Sequence, residues 1–502
     1  MEIFHNIQMG FQVALSWQNL LFCLIGVTYG TLIGVLPGIG PVVGVAILIP
    51  VTFGLNATTA IITMAGVYYG AMYGGSTTSI LINVPGESAS VVTCLDGYQM
   101  ARKGRAGPAL GMAALASFMA GTLAVVLLTL IAPALASVAL SFGPPEYFAL
   151  TFMGLTLVTS LAGESMVKGL MSGAFGLIVA CVGVDAVSGE ERFTFGNIFL
   201  LDGFGFIGVA VGLFAVSEVL CNLEESMEQV FIQTKFTLRH LFPNWQDWKD
   251  SFWPIWRSSF MAFFLGNLPG AGATIASFMA YAMEKKLSKR PEQFGTGVIE
   301  GVAAPEAANN AAAGGSMVPL LALGIPSSGT SAVLLGALLV HGLRPGPLLF
   351  QSNPEFVWGV IASMYIGNIM LLILNLPLVG FWASLLRVPY RILMPLIVTI
   401  SAVGVYATEN NIFDMWIMFG FGIIGYLMRK LRFPAAPVVL GLVLGPLVER
   451  SLRQSLTISH GDPSIFFTRP ISAALMIVAL ISLFAPLVRG VWEFRKKVVE
   501  IS

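Results

Sequence analysis

Residues 3–86 of this 502-residue chain include not one Asp, Glu, Lys or Arg. A helix crosses the bilayer core with ~20 apolar residues, so the stretch is long enough for several crossings. No water-soluble fold can keep so long an uncharged run covered. The remainder agrees: 56% of residues are hydrophobic and 10% charged, with a mean hydropathy of +0.83. These values assign an integral membrane protein. Basic and acidic residues balance at 26 each, so no nucleic-acid partner is expected. Cys23, Cys94, Cys181 and Cys221 sit in or beside apolar runs and read as small helix residues rather than a disulfide or metal set. The start, Met1-Glu2-Ile3-Phe4-His5, has no basic n-region and no evident cleavage site. The first apolar segment is therefore expected to stay in the membrane.

Within the uncharged run lies Gly34-Val35-Leu36-Pro37-Gly38-Ile39-Gly40-Pro41, and 232 residues later comes Gly266-Asn267-Leu268-Pro269-Gly270-Ala271-Gly272-Ala273. Proline removes a backbone donor and glycine weakens a helix, so both runs should break there. Lipid tolerates broken backbone only where it is buried in protein or lines a wet cavity. Paired interruptions in two halves point to a transporter's binding site. The second motif has basic flanks on both sides, Arg257 before it and Lys285, Lys286, Lys289 and Arg290 after it. A single crossing does not suit that pattern; a hairpin with arms of about 12 residues, ~18 Å each, does. The first motif, in a hairpin over 30–52, has uncharged flanks. The two hairpins are thus expected to enter from opposite faces, as in an inverted repeat with the N-terminus in the cytoplasm.

Duplication has further support. Gly74-Gly75-Ser76 returns as Gly314-Gly315-Ser316. Pro85-Gly86-Glu87-Ser88-Ala89-Ser90 aligns with Pro326-Ser327-Ser328-Gly329-Thr330-Ser331, and Ala106-Gly107-Pro108 with Pro345-Gly346-Pro347. The chain divides into a first transmembrane half at 1–221, a cytoplasmic linker with an interfacial helix at 222–257, and a second half at 258–502. Apolar segments are expected near 11–29, 58–84, 109–137, 146–162, 169–187, 197–220, 355–385, 392–408, 412–428, 435–448 and 470–488. The fold class is an all-α integral membrane protein with about twelve transmembrane helices and two re-entrant hairpins, in two repeats.

Helices that begin in mid-membrane expose unpaired N–H groups and a positive dipole end, which suit an anion. The first candidate layer is therefore Gly38, Ile39 and Gly40 with Gly270, Ala271 and Gly272, joined by the Thr274 hydroxyl. A kink without a ligand is the alternative for each. A second layer, Ser76, Thr77, Thr78, Ser79, Asn83 and Ser316, offers hydroxyls and an amide to a carboxylate. Helix packing through small residues competes with that reading. A third, Ser88, Ser90, Ser327, Ser328 and Thr330, follows a proline, where helix capping competes. Intramembrane charge carries a functional expectation by default. Glu87, Glu300, Glu306, Asp185 and Glu409 are candidates, and Glu306 with Asn309 and Asn310 is the choice for ion coupling. The four histidines, His5, His240, His341 and His460, are scattered. The sequence has no HExxH, Gly-x-Ser-x-Gly or GxxxxGK[ST] motif. Neither ATP hydrolysis nor another enzymatic activity is expected, and no cofactor or metal.

The Gly-Val-Leu-Pro-Gly-Ile-Gly-Pro run, the block from Tyr69 through Ser79 and Asn83 to Gly86, and Leu268-Pro269-Gly270-Ala271-Gly272-Ala273-Thr274 resemble the large membrane subunit, TctA, of tripartite tricarboxylate transporters. The likeness extends over nearly the whole chain. It implies a secondary transporter of the bacterial inner membrane that imports organic anions such as citrate, driven by Na+ or H+. It also implies a small TctB-like membrane subunit and a periplasmic TctC-like solute-binding protein as partners. A stand-alone ion-coupled carboxylate carrier is the competing reading. An intramembrane hydrolase is the remote one, since it needs a nucleophile and base in the bilayer.

Overall fold

The computed structural model describes residues 2–36, 39–161, 165–185, 188–224, 238–385, 390–409 and 411–484. The first half opens with α1 (Glu2–Ala14), α2 (Trp17–Val35), α3 (Gly40–Thr52) and α4 (Ala57–Ile82). A 3-10 turn at Ser88–Ser90 leads to α5 (Thr93–Arg102), α6 (Ala106–Ala139), α7 (Pro144–Leu161) and α8 (Met166–Ala180). The half closes with α9 (Phe206–Val211), a π-turn at Gly212–Val216 and α10 (Ser217–Asn222). The second half holds α11 (Leu238–Leu241), α12 (Trp245–Asn267), α13 (Gly272–Leu287), α14 (Glu300–Leu323) and α15 (Gly329–Val340). After these come α16 (Leu349–Ser352), α17 (Pro354–Asn375), α18 (Val379–Leu385), α19 (Tyr390–Glu409) and α20 (Ile412–Lys430). The described chain ends with α21 (Ala436–Ile458), α22 (Ile465–Thr468) and α23 (Pro470–Phe484).

Four of these helices, α2, α6, α17 and α20, are long and apolar enough to cross a membrane, and six more are apolar but shorter. Their outer faces carry bare Leu24, Ile25, Ile369, Ile373, Leu396, Val403, Trp416 and Ile423. On a water-soluble surface so many exposed large hydrophobics would drive association; here they suit lipid. The chain is a multi-pass, mainly helical membrane protein.

The centre is built from α4 and α14, which are buried nearly end to end. Each is rich in Gly, Ala, Ser or Thr, because protein rather than lipid surrounds it. Its hydroxyls are satisfied within the helix: Thr63 donates to the Thr59 carbonyl (2.7 Å) and Ser79 to that of Gly75 (2.9 Å). Small residues let backbones touch. A Cβ added at Gly34 of α2 would lie 2.2 Å from the Ala71 carbonyl oxygen of α4, and one at Gly74 the same distance from that of Thr31. The second half repeats this seam. There a Cβ at Gly266 of α12 would meet the Ala312 oxygen of α14 at 2.2 Å.

Other local features also occur twice along the chain. Helix α2 stops at Val35 and α3 begins at Gly40; α12 stops at Asn267 and α13 begins at Gly272. Helix α4 ends on left-handed Asn83 (φ 56°) and α14 on left-handed Gly324 (φ 71°). A capping box follows in each, Glu87 with Ser90 and Ser328 with Ser331. The arms α12 and α13 fold back on each other. Arg257, midway along α12, donates to both carboxylate oxygens of Glu284 near the end of α13 (3.0 and 2.6 Å).

Several sequence expectations need adjusting. The segments at 11–29 and 30–52 do not part at Gly30. Helix α2 runs unbroken through it, because the missing side chain admits the α4 backbone rather than breaking the helix. The real break lies at Leu15–Ser16. Within the segment 222–257, Asn244 accepts from the Asp247 amide (2.8 Å) and starts α12 at Trp245. Residues 225–237 of that segment lie outside the described residues. The segment at 169–187 closes at Ala180, and Gly183–Val184 pairs antiparallel with Glu191–Arg192, a small β-hairpin in a chain read as all-α.

Charged groups from both halves gather where α5 meets the hairpin base. Asp96 is fully buried and accepts from the amides of Gly295, Gly297 and Val298 and from the Tyr281 hydroxyl, at 2.6–3.0 Å. One carboxylate of the first half thus holds the loop between α13 and α14. Asp96→Ala would leave those donors without an acceptor. In proteoliposomes it is expected to speed tryptic cleavage near Lys289–Arg290 several-fold; an unchanged cleavage rate would contradict this role.

Candidate functional site

A cavity of about 720 Å³ opens between the two helix breaks. Its floor is made by the starts of α3 and α13. Ile39 and Gly40 line it from one half, and Gly270, Ala271, Gly272 and Thr274 from the other. Gly40 and Gly272 have φ of +65° and +56°, backbone that residues with side chains adopt at a cost. Neither α3 nor α13 has a side-chain cap. Their first-turn amides therefore lack the partners that cap most helices, and the dipoles add partial positive charge.

Around the floor stand the loops that follow α4 and α14, with Glu87, Ser88, Ser327, Ser328 and Thr330. Hydrogen bonds cross between halves here. The Ser88 and Thr274 hydroxyls lie 2.8 Å apart, and the Tyr68 hydroxyl lies 3.2 Å from that of Ser328. The Gly270 amide donates to the Ser327 carbonyl (2.8 Å), so that N–H belongs to the frame rather than to a ligand. Two buried polar atoms of the lining find no hydrogen-bond partner, Ser327 Oγ and Glu87 Oε1. Such atoms are rare inside proteins and ask for an explanation. The far wall comes from α10 and the end of α20. There Arg429, half-exposed, pairs with buried Glu218, beside Phe214 and Phe433.

The sequence-predicted residues fall into three groups. Ile39, Gly40, Gly270, Ala271, Gly272, Thr274, Ser327 and Ser328 line the cavity together. Ser316 stands one residue behind, 3.4 Å from the Tyr68 hydroxyl. Ser76, Thr77, Thr78 and Ser79 do not reach the cavity. Thr78 and Ser79 bond the Gly75 carbonyl within α4, and Ser79 also bonds that of Ser90. Asn83 is exposed and ends α4, a place left-handed Asn fills well. Gly38 lies outside the described residues.

Glu306, Asn309 and Asn310 are sealed in the core. Glu306 accepts from Ser76 (2.5 Å), Thr93 (2.5 Å) and Asn309 (3.3 Å), while Asn310 bonds the Glu306 carbonyl (3.2 Å). The Ser76 side of α4 meets this network and the neighbouring Gly75 faces Glu87, where a Cβ would lie 3.0 Å from the Glu87 side chain. The reading of the sequence missed Tyr68, Phe214, Glu218 and Arg429 as cavity walls. Arg429 stands among Lys430 and Arg432 and looks like a topology marker; only the fold brings α20 to the hairpin tips. Among the described residues no cluster of His, Cys, Asp or Glu could hold a metal.

A family model described as Tripartite tricarboxylate transporter TctA family matches residues 20–440. The chain is 48% identical over 499 residues to an uncharacterized 52.8 kDa protein in the TAR-I ttuC' 3' region of Agrobacterium vitis, covering 99% of both chains. It is 47% identical over 234 residues to an uncharacterized protein in the TAR-II ttuC' 3' region of the same organism, which covers 47% of this chain and 97% of the relative. No solved structure matches.

Proposed function

We propose, for a chain that belongs to the tripartite tricarboxylate transporter TctA family, that it is the subunit through which a small di- or tricarboxylate crosses the bacterial inner membrane. A periplasmic binding protein would deliver the anion, a small second membrane subunit would complete the assembly, and a gradient of Na+ or H+ would drive import. The observation that carries this reading is the shared cavity: two helix starts without side-chain caps, one from each half, open on one space with the hydroxyls of Ser88, Thr274, Ser327 and Ser328 beside them. Such ends bind carboxylates without a full cationic side chain. Ser327 Oγ, which lacks a partner, adds a donor for the same ligand.

In this reading the halves are inverted repeats, with about twelve crossings and two re-entrant hairpins. The N-terminus is cytoplasmic. The hairpin base at Arg257–Glu284 and the basic end of α20 lie on the cytoplasmic side, as the positive-inside rule asks. Arg429 is half-exposed at the cavity wall on that side, so this conformation faces inward. Rocking one half against the other would expose the same site outward. The test is uptake of labelled carboxylates into proteoliposomes carrying both membrane subunits, with and without the soluble binding protein. Saturable uptake that needs the binding protein is expected. Uptake by this chain alone, unaffected by the soluble protein, would favour a stand-alone carrier, and no uptake of any carboxylate would overturn the reading.

A further inference from the structure

Three carboxylates are buried at or near the cavity, and of these Glu218 and Glu306 are partnered while Glu87 is only half so. Glu306 is ringed by Ser76, Thr93 and Asn309. Glu87, a residue of the cavity lining, spends Oε2 on the Ala89 amide (2.7 Å), while its buried Oε1 has no partner. A charged oxygen left bare in such a place is costly, and a carboxylate ligand arriving at the same cavity would add like charge. The pseudo-equivalent position makes the contrast sharper. The second half fills the same capping role with the Ser328 hydroxyl, so a cap needs no acid here. The acid in the first half therefore requires a reason beyond capping.

We propose that Glu87 carries the coupling cation, and that this cation is a proton bound at Oε1. The inference rests on the reading of the cavity as a carboxylate site. From the outer solution, H+ bonds to Oε1 and makes a neutral acid with one O–H donor. The substrate then enters beside a hydrogen-bond donor instead of a negative charge. After the conformational change the O–H bond breaks, the proton leaves to the inner solution, and the carboxylate that re-forms helps expel the anion. Charge and atoms balance, and no redox partner is involved. The ionisable groups around Glu87 are Tyr68 of α4, Glu306 of α14 across the α4 backbone, and the Glu218–Arg429 pair on the opposite wall, while Cys94 of α5 is turned to the Ser90 carbonyl. The one cation in that set already has Glu218 as its partner.

Glu87→Gln keeps the shape and can still accept from Ala89 through its amide oxygen, so the turn at Ser88–Ser90 should survive. In proteoliposomes with the complete complex, the exchange of internal for external carboxylate that the variant retains, at whatever rate, is expected not to respond to external pH. The variant should lose, by at least tenfold, the extra accumulation that a pH gradient (inside alkaline) gives the native complex. Glu87→Asp should retain the pH response. A second measurement needs no variant: adding carboxylate to the native complex in weakly buffered detergent solution should draw about one proton per complex from the medium. Full pH-driven accumulation by Glu87→Gln, no proton uptake on binding, or native accumulation that follows a sodium gradient alone would each overturn the proposal. Failure of the carboxylate-site reading would show differently, as no exchange in the native complex.

Discussion

Gly40→Val and Gly272→Val should each abolish carboxylate uptake while leaving the protein inserted and folded. Both glycines stand at positive φ at the start of a helix that faces the cavity. A side-chain residue in that backbone region costs roughly 1–2 kcal/mol, and β-branching raises the figure. The neighbours would permit it otherwise. A Cβ at Gly40 comes no nearer than 3.9 Å to the Glu87 Cβ, and one at Gly272 no nearer than 3.8 Å to the Ser328 Cβ. The added methyl groups therefore fall in the cavity, where an anion must approach the first-turn amides. Losing ~3 kcal/mol of ligand binding corresponds to about a hundredfold in affinity, below what an uptake assay detects. Transport and thermal stability of the purified variants should part company: uptake gone, unfolding midpoint within a few degrees of native. Native uptake in both variants would show that the helix starts are not where the anion binds. Gly34→Val makes a useful contrast. There the added Cβ meets a carbonyl oxygen at 2.2 Å, so folding rather than transport alone should fail.

That contrast also explains what was and was not legible in the sequence. Both kinds of glycine look the same in a string of letters. Those beside proline mark helix breaks at Val35 and Asn267, because the missing donor and the left-handed backbone are local properties. Gly30 and Gly74, by contrast, sit inside unbroken helices, and their purpose depends on which helix lies opposite. The serines and threonines of α4 lie off the cavity lining for a related reason. A hydroxyl in an apolar run signals a binding site or an internal helix bond with equal strength, and in α4 the carbonyl one turn back usually wins. Ser327 and Ser328, read from the sequence as a layer after Pro326 with helix capping as the competitor, line the cavity, and Ser328 also caps α15. Arg429 and Glu218 were out of reach, since nothing local links residue 218 to residue 429.

Glu306→Ala should strongly destabilise the core, by about 3–5 kcal/mol. The carboxylate joins three helices: Ser76 of α4, Thr93 of α5 and Asn309 of α14 all donate to it, and it is fully buried. Alanine leaves those donors facing an apolar gap, and each buried unpaired group costs roughly 1–3 kcal/mol. The void adds a further term. Thermal unfolding of the purified protein should show a clearly lowered midpoint, and exchange should be lost with the fold. The comparison with Glu87→Gln separates two roles for two acids about one helix apart. Removing the charge at Glu87 should spare stability and alter the response to a gradient. Removing the side chain at Glu306 should do the reverse, because its oxygens are already committed to the frame. If Glu306→Ala unfolds at the native temperature and instead loses only gradient-driven accumulation, the assignment of the two acids is inverted. The coupling ion would then reside in the Glu306, Asn309 and Asn310 network rather than at the cavity wall.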